Sequence, residues 1–87
     1  MSDQFFSNLS FSTESDPWTL VSSGHWDADC AAGRAAATEL LQAMTFHDAP
    51  FALGYVLQRM VERGVWGGCE VGFAHKVAEC ACVGITD

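Results

Sequence analysis

The sequence predicts an all-α fold, a small bundle of three principal helices with a short N-terminal helix. Apolar residues recur at steps of three and four over three long stretches, which is the period of an amphipathic α-helix. Aspartate closely followed by proline, the pattern of an N-cap and a first helical turn, occurs at two predicted helix starts. The 87 residues are 49% hydrophobic and 17% charged, which is typical of one packed domain. We expect an extended arm at residues 1–15 and a single helical domain at residues 16–87.

The arm at residues 1–15 has no sustained helical or strand period. Its phenylalanines, Phe5, Phe6 and Phe11, are costly to leave in water, at ~1.5–3 kcal/mol each for full burial. We therefore expect the arm to pack on the helices or on a partner. A short strand over residues 5–11 is the alternative, although no second strand is predicted to pair with it.

The short helix is predicted over residues 17–22, because Asp16 is a favoured N-cap and Pro17 costs no hydrogen bond at the first helical position. Ser23 is in turn a good N-cap for the main helix, which is predicted over residues 24–45. The main helix has one apolar stripe at helical spacing. Its members are Trp26, Cys30, Gly33, Ala37, Leu40 and Met44.

A second helix is predicted over residues 49–63. Asp48 is expected to be its N-cap and Pro50 to lie in its first turn, while Gly64 suits the position just after its end. The predicted apolar face consists of Leu53, Val56, Leu57, Met60 and Val61.

A third long helix is predicted over residues 69–83, after a tight turn of sequence GVWGG. Glu70 lies in its first turn, and Gly84 is expected to stop it. Both of its sides are apolar, so we expect it to be the central helix. Its candidate buried sets are Val71, Ala74, His75, Ala78 and Cys82, or Phe73, Val77 and Ala81.

Tryptophan and glycine positions predict which surfaces are in contact. Trp26 lies on the stripe of the main helix and is expected in the core, whereas Trp66, at the tip of the glycine turn, is expected to be an exposed anchor for a partner. Gly33 and Gly54 lie inside predicted helices, where each costs ~1 kcal/mol relative to alanine. We expect close packing of helices at both glycines.

The charge is strongly negative, with 11 acidic and 4 basic residues and a formal net charge of -7. This charge repels phosphates, so neither direct nucleic-acid binding nor contact with an anionic membrane surface is expected. The first 33 residues contain no lysine or arginine, and their acids are Asp3, Glu14, Asp16, Asp27 and Asp29. Asp27 and Asp29 lie in the first turns of the main helix, where a negative charge also stabilises the positive end of the helix dipole. Together the five acids would attract a basic protein over about a Debye length.

The cysteines and histidines do not have the spacing of a metal site. Neither C-x-x-C nor H-x-x-x-H occurs in the sequence. Cys80 and Cys82 would point about 200° apart on a helix, and His75 and Glu79, although on one face, supply two ligands at most. We predict no metal and no cofactor, and we expect reduced, partly buried thiols.

The expected location is cytoplasmic. No apolar run approaches the roughly 18 residues that a membrane-spanning helix needs, and the start of the sequence lacks the basic and apolar regions of a secretory signal. These two features also argue against membrane association.

Two other classes of function remain as alternatives. A small metal- or thiol-dependent enzyme would use Cys69, the cysteine predicted at a helix N-terminus, where a thiolate is stabilised. No phosphate loop, nucleophile elbow or close carboxylate pair accompanies it, so we predict no catalytic residue and no enzymatic activity. A structural module would instead homodimerise through surplus apolar helix surface.

A very short, acidic, cysteine-containing helical chain without a motif resembles the small inhibitors that phages and mobile elements encode against host defence complexes, anti-CRISPR proteins above all. The resemblance rests on size and charge, which acidic antitoxins and immunity proteins share, so it carries over no functional residues. It implies a protein-binding inhibitor of a basic, nucleic-acid-handling partner. The acids are not spaced i, i+4 along one face, which favours a charge-steered contact over duplex mimicry. The predicted contact residues are Asp3, Glu14, Asp16, Asp27, Asp29 and Trp66.

Overall fold

The fold is given by a computed structural model that describes residues 4–86, with side chains over residues 5–83. This part of the chain contains no strand, and its helices are α1 (Gln4–Ser7), α2 (Trp26–His47), α3 (Ala52–Arg63) and α4 (Gly68–Thr86). The predicted fold class, an all-α globule of three main helices and a short N-terminal helix, is confirmed. The molecule is flat, at 36 × 34 × 19 Å. None of the described helices has both the length and the apolar composition needed to cross a membrane.

Helices α2 and α4 form the closest helix pair. A Cβ atom built on Gly33 would overlap the carbonyl oxygen of Cys69, and one built on Gly72 would overlap the carbonyl oxygen of Cys30. The backbones therefore touch where side chains would normally separate them, as predicted for Gly33. Because early residues of α2 lie beside early residues of α4, the two helices run in the same direction and begin at the same end of the molecule.

Helix α3, together with the turns on either side of it, returns the chain from the end of α2 to its beginning, a distance of about 33 Å for 22 residues at 1.5 Å each. It ends, as predicted, at Gly64, whose φ of 69° is left-handed. Val56 and Met60 are buried, whereas Val61, which was expected beside them, is 75% exposed. The buried stripe is narrow because it follows a single i, i+4 row that begins at Ala52.

Side chains that precede α2 fill much of the core. The largest fully buried side chains are Trp18, Phe11, Phe73, Leu40, Met60, Val56 and Cys69. The ring of Trp18 lies 5.6 Å from that of Phe11 and 5.0 Å from that of Phe73, between centroids. Phe6 and Leu9 belong to the same cluster. The region predicted as an arm therefore packs on the helices, as expected, but it is folded into α1 and turns and is not extended.

The short helix lies at Gln4–Ser7, and the prediction of a helix over residues 17–22 is wrong. The backbone there is held by distant partners. Phe11 O accepts hydrogen bonds from Thr19 N–H and the Thr19 hydroxyl, at 2.9 and 2.8 Å. Arg63 donates to the carbonyl oxygens of Trp18 and Leu20. Backbone groups that a helix would pair locally are thus used across the fold.

Trp26 was expected in the core, but it is 57% exposed. It is the first residue of α2, and Gly68 at the start of α4 lies against its carbonyl group. Trp18 occupies the core instead, and its indole N–H donates to Glu70 Oε2 at 2.8 Å. A buried indole needs such a partner, and Glu70 supplies it.

Three boundary predictions are also corrected. Asp48 does not cap α3: it ends α2 in a left-handed conformation with φ of 52°, and α3 starts only at Ala52. Gly84 does not stop α4, which continues to Thr86. Gly54 has no neighbour within 4 Å of its would-be Cβ, so the helix packing expected there is absent from the described part of the chain.

Helix α4 is central only in its first half. Phe73 is buried, whereas every residue from 78 to 83 is exposed. The apolar second half, which was expected to be covered on one side or the other, is therefore open to solvent over residues 78–83.

Candidate functional site

The carboxylate of Asp29 is used inside the fold. It accepts hydrogen bonds from the backbone N–H and hydroxyl of Ser23 at 3.0 and 2.8 Å, and from Gly24 N–H at 3.2 Å. The two Ser23 bonds, with a smaller contribution from Gly24 N–H, hold the pKa of Asp29 below its usual range and outweigh burial, which would raise it. Asp29 is 6% exposed. It therefore joins the preceding loop to α2 and offers little to a partner.

Asp16 is half-buried and also engaged within the chain. Its Oδ1 accepts from Arg59 Nε at 2.9 Å and from Trp18 N–H at 3.1 Å. Burial would raise the pKa of Asp16, but the bonds from Arg59 and Trp18 outweigh it and lower the pKa. Asp16 thus fastens the loop to α3.

Of the five acids of the first third, the described ones divide into two engaged within the fold and two exposed. Glu14 and Asp27 are exposed, and within the described residues neither makes an ion pair. Asp3 lies outside the described residues. Asp16 and Asp29 are occupied as described above, so the acids available at the surface are separated along the chain.

All four basic side chains are occupied by groups of the chain itself. They pair as Arg34 with Glu79, Arg59 with Asp16, Lys76 with Glu79, and Arg63 with the carbonyl oxygens of Trp18 and Leu20. Since these are all the lysines and arginines in the sequence, the surface charge that is not compensated internally is negative. Asp48 is a further exposed acid that makes no ion pair in this part of the structure.

Two exposed tryptophans, Trp26 and Trp66, lie at the end of the molecule where α2 and α4 begin. The would-be Cβ of Gly67 falls on Ser22, and that of Gly68 lies 3.3 Å from the carbonyl oxygen of Trp26. Residues 21–26 and 65–68 are therefore adjacent. We call this surface the tryptophan end; it consists of Val21, Trp26, Asp27, Val65 and Trp66.

The sequence predicted Trp66 as an exposed anchor, and both Trp66 and Trp26 are 57% exposed. It missed Trp26 and Val21 as members of the same surface. The available signal was the position of Trp26 beside Ser23 and Gly24, because a residue at the very start of a helix is less enclosed than its stripe implies.

Cys69 is a poor candidate for a nucleophile. It is 2% exposed, and burial raises the pKa of its thiol, an effect to which the charges of Asp29 and Glu70 add. Its thiolate is therefore scarce at neutral pH. Cys30, Cys80 and Cys82 are also free thiols. Within residues 4–86, no group of three or more metal-binding side chains converges.

The tryptophan end has the chemistry of a contact surface. It presents two indole rings and two valines with one carboxylate beside them, and none of the four basic side chains of the protein belongs to it. Such a surface can bury aromatic area and attract a cation. Comparison of the chain with family models, curated proteins and solved structures finds no match.

Proposed function

We propose that this protein is a small, non-enzymatic, protein-binding inhibitor that docks on a basic, nucleic-acid-handling protein, as anti-CRISPR proteins do. The observation that carries the proposal is the tryptophan end, where two indoles are exposed and the exposed carboxylate of Asp27 directly follows Trp26. Exposed tryptophans are the residues most enriched among interface hot spots. They supply affinity, and the acid supplies the preference for a basic partner.

The apolar contribution to binding is substantial. Trp26 and Trp66 each leave more than half of their surface in water, and covering roughly 100 Å² of each ring contributes about 2.5 kcal/mol at ~25 cal/mol per Å². Val21 and Val65 extend the same surface. Exposing this area does not stabilise the monomer, whereas burying it against a partner stabilises the complex.

The charge favours a basic partner. The protein carries a net charge of -7, and its four cations are already paired or hydrogen-bonded internally. The net negative charge therefore attracts a lysine- or arginine-rich surface, and of the four cations only Arg63, which bonds to carbonyl oxygens, forms no ion pair with a carboxylate among the described residues. An arginine at the tryptophan end could stack on an indole and pair with Asp27.

The test is quantitative affinity capture from a candidate host, followed by a nucleic-acid binding or cleavage assay of the captured protein. Three baits are compared: the wild type, Asp27→Lys, and Glu62→Lys as a charge-matched control on exposed α3. We expect Asp27→Lys to weaken capture at least tenfold, because it reverses the charge next to Trp26 at the tryptophan end. Glu62→Lys should change capture less than threefold. Trp66→Ala should weaken capture to a similar extent as Asp27→Lys.

The same partner must be inhibited by the wild type and must bind more weakly as salt rises from about 50 to 300 mM. Equal weakening by Asp27→Lys and Glu62→Lys would show a general charge effect and would refute the tryptophan end as the contact. Capture without inhibition of nucleic-acid handling would refute the inhibitor role.

A further inference from the structure

A continuous series of aromatic rings lies at the opposite end of α2. The rings follow one another in edge-to-face contact, with centroids 4.8 to 6.3 Å apart. In order they are Phe46, His47, Phe5, Phe6, Tyr55 and Phe51. The series joins α1, the end of α2 and the start of α3.

Most of this series is open to solvent. Phe46 is 83% exposed, Tyr55 49% and Phe51 42%. A shallow groove of about 420 Å³ runs beside Phe46 and is lined also by Leu41 and Thr45. Phe6 is buried in the core, so it anchors one member of the series to the interior of the fold.

The charge at this end is also negative. Asp48 is exposed, directly follows His47 and makes no ion pair within the described residues. The nearest basic side chain along α3, Arg59, is already paired with Asp16. An incoming cation would therefore meet aromatic rings and a free carboxylate, with no competing cation at Phe46 or Phe51.

We infer that this surface, the phenylalanine end (Phe46, His47, Asp48, Phe51 and Tyr55), binds arginine or lysine side chains of a protein partner. Aromatic ring faces attract cations, and the effect is about two- to fivefold in affinity for each exposed ring. The carboxylate adds charge complementarity. A second copy of this chain is the poorer occupant, because it would bring a second Asp48 and a second net charge of -7 to the contact.

The inference goes beyond the proposed function, since it assigns a second docking surface. The phenylalanine end and the tryptophan end lie at the two ends of α2, about 33 Å apart for 22 residues. A partner, or two partners, could thus be held at two separate points, which raises the total affinity if both can be reached at once.

The test is an NMR titration of the isotope-labelled protein with an arginine–glycine peptide and with the same peptide carrying citrulline, the uncharged isostere of arginine. We expect the arginine peptide to shift the amide signals of Phe46, Asp48 and Tyr55 at low salt. The citrulline peptide should bind at least fivefold more weakly. Equal binding of the two peptides would overturn the inference, because the surface would then be merely apolar.

Variants separate the contributions. The double variant Phe46→Leu, Phe51→Leu keeps apolar area but removes two rings, and it should weaken binding about five- to twentyfold. Asp48→Asn keeps the left-handed turn, which asparagine also tolerates, and should weaken it about twofold. Trp66→Leu is the matched control and should leave these shifts unchanged. Spectra of the free variants establish that each is folded.

The indole N–H signals of Trp26 and Trp66 report the tryptophan end in the same titration, so the two surfaces are read separately. Shifts confined to those indoles would overturn the phenylalanine end while leaving the proposed function standing. A dimer detected by sedimentation, together with an NMR signal of Phe46 that changes on dilution, would also overturn it, in favour of a second copy. Failure of capture through Asp27, with the arginine-peptide shifts intact, would instead refute the proposed function alone.

Discussion

Replacing Gly33 with alanine should destabilise the fold, whereas the same replacement at Gly54 should stabilise it. Both glycines lie inside helices, and both replacements remove the flexibility of glycine from the unfolded chain. They differ in surroundings: Gly33 touches the backbone of α4, and Gly54 has no neighbour within 4 Å. The pair therefore isolates the effect of the close contact between α2 and α4.

The magnitude follows from the contact distances. An alanine Cβ at Gly33 would lie 2.8 Å from Phe73 N and would overlap the carbonyl oxygen of Cys69. Non-bonded atoms rest about 3.5–4 Å apart, so the helices must separate by about 1 Å, which forfeits a quarter to a half of the attraction across the contact. Overpacking costs about 1–3 kcal/mol, and no rotamer change can relieve a backbone clash. Taking the upper end of that cost and subtracting the ~1 kcal/mol helix-propensity gain, we expect a net loss of about 2 kcal/mol.

The assay is thermal and urea unfolding followed by circular dichroism. For a domain of this size, 1 kcal/mol corresponds to about 4–8 °C in Tm. Gly33→Ala should therefore lower Tm by about 8–16 °C, and Gly54→Ala should raise it by about 4–8 °C. Gly72→Ala, whose Cβ would overlap the carbonyl oxygen of Cys30, should behave like Gly33→Ala. An unchanged Tm for both Gly33→Ala and Gly72→Ala would refute the close approach of the two helices.

Three further predictions concern buried and exposed polar groups. Asp29→Asn should lower the free energy of unfolding above about pH 5. The difference from the wild type should disappear as pH falls, because a carboxyl whose pKa is lowered in the folded state loses its stabilising effect when it is protonated. Urea unfolding at several pH values measures this. Cys80 and Cys82 should react with iodoacetamide at least tenfold faster than buried Cys69, as measured by peptide mass mapping. Glu70→Gln should cost about 1–3 kcal/mol in thermal melts, because a buried carboxylate accepting two N–H bonds becomes an amide.

Each of these predictions has an outcome that contradicts it. A deficit for Asp29→Asn that stays constant with pH would mean that its hydrogen bonds do not depend on charge. Similar labelling rates for Cys69 and Cys80 would show that α4 opens readily at its first turn. An unchanged melting temperature for Glu70→Gln would show that the two N–H donors do not need the carboxylate and are satisfied by the amide oxygen or by water. Unfolded protein provides the reference labelling rate for every thiol.

The long helices could be predicted because their signals are local. Apolar spacing and the left-handed Gly64 place α2, α3 and α4 within a few residues of their observed bounds. The helix predicted at residues 17–22 failed because its competitors are distant in sequence: Arg63 and Phe11 take the backbone groups that the helix would have used. An N-cap pattern indicates the structure that a segment favours in isolation, whereas here tertiary hydrogen bonds hold the segment in a non-helical conformation.

The candidate site was predictable only in part. Trp66 could be placed at the surface because glycines surround it, whereas the exposure of Trp26 depends on where α4 crosses α2. The acids looked equivalent in the sequence, yet Asp29 accepts hydrogen bonds from the loop at Ser23 and Asp16 pairs with Arg59. Composition gives the total charge, but only the fold determines which charges remain available to a partner.

The parallel direction of α2 and α4 has a consequence for how the chain is made. The contact between Gly33 and Phe73 joins positions about 40 residues apart, so it can form only after the whole return segment exists and its loop has closed. During synthesis, α2 leaves the ribosome with its apolar stripe uncovered and waits for α4. Neither half of the protein should fold alone, and co-expressed fragments split near Pro50 should recover structure only by associating.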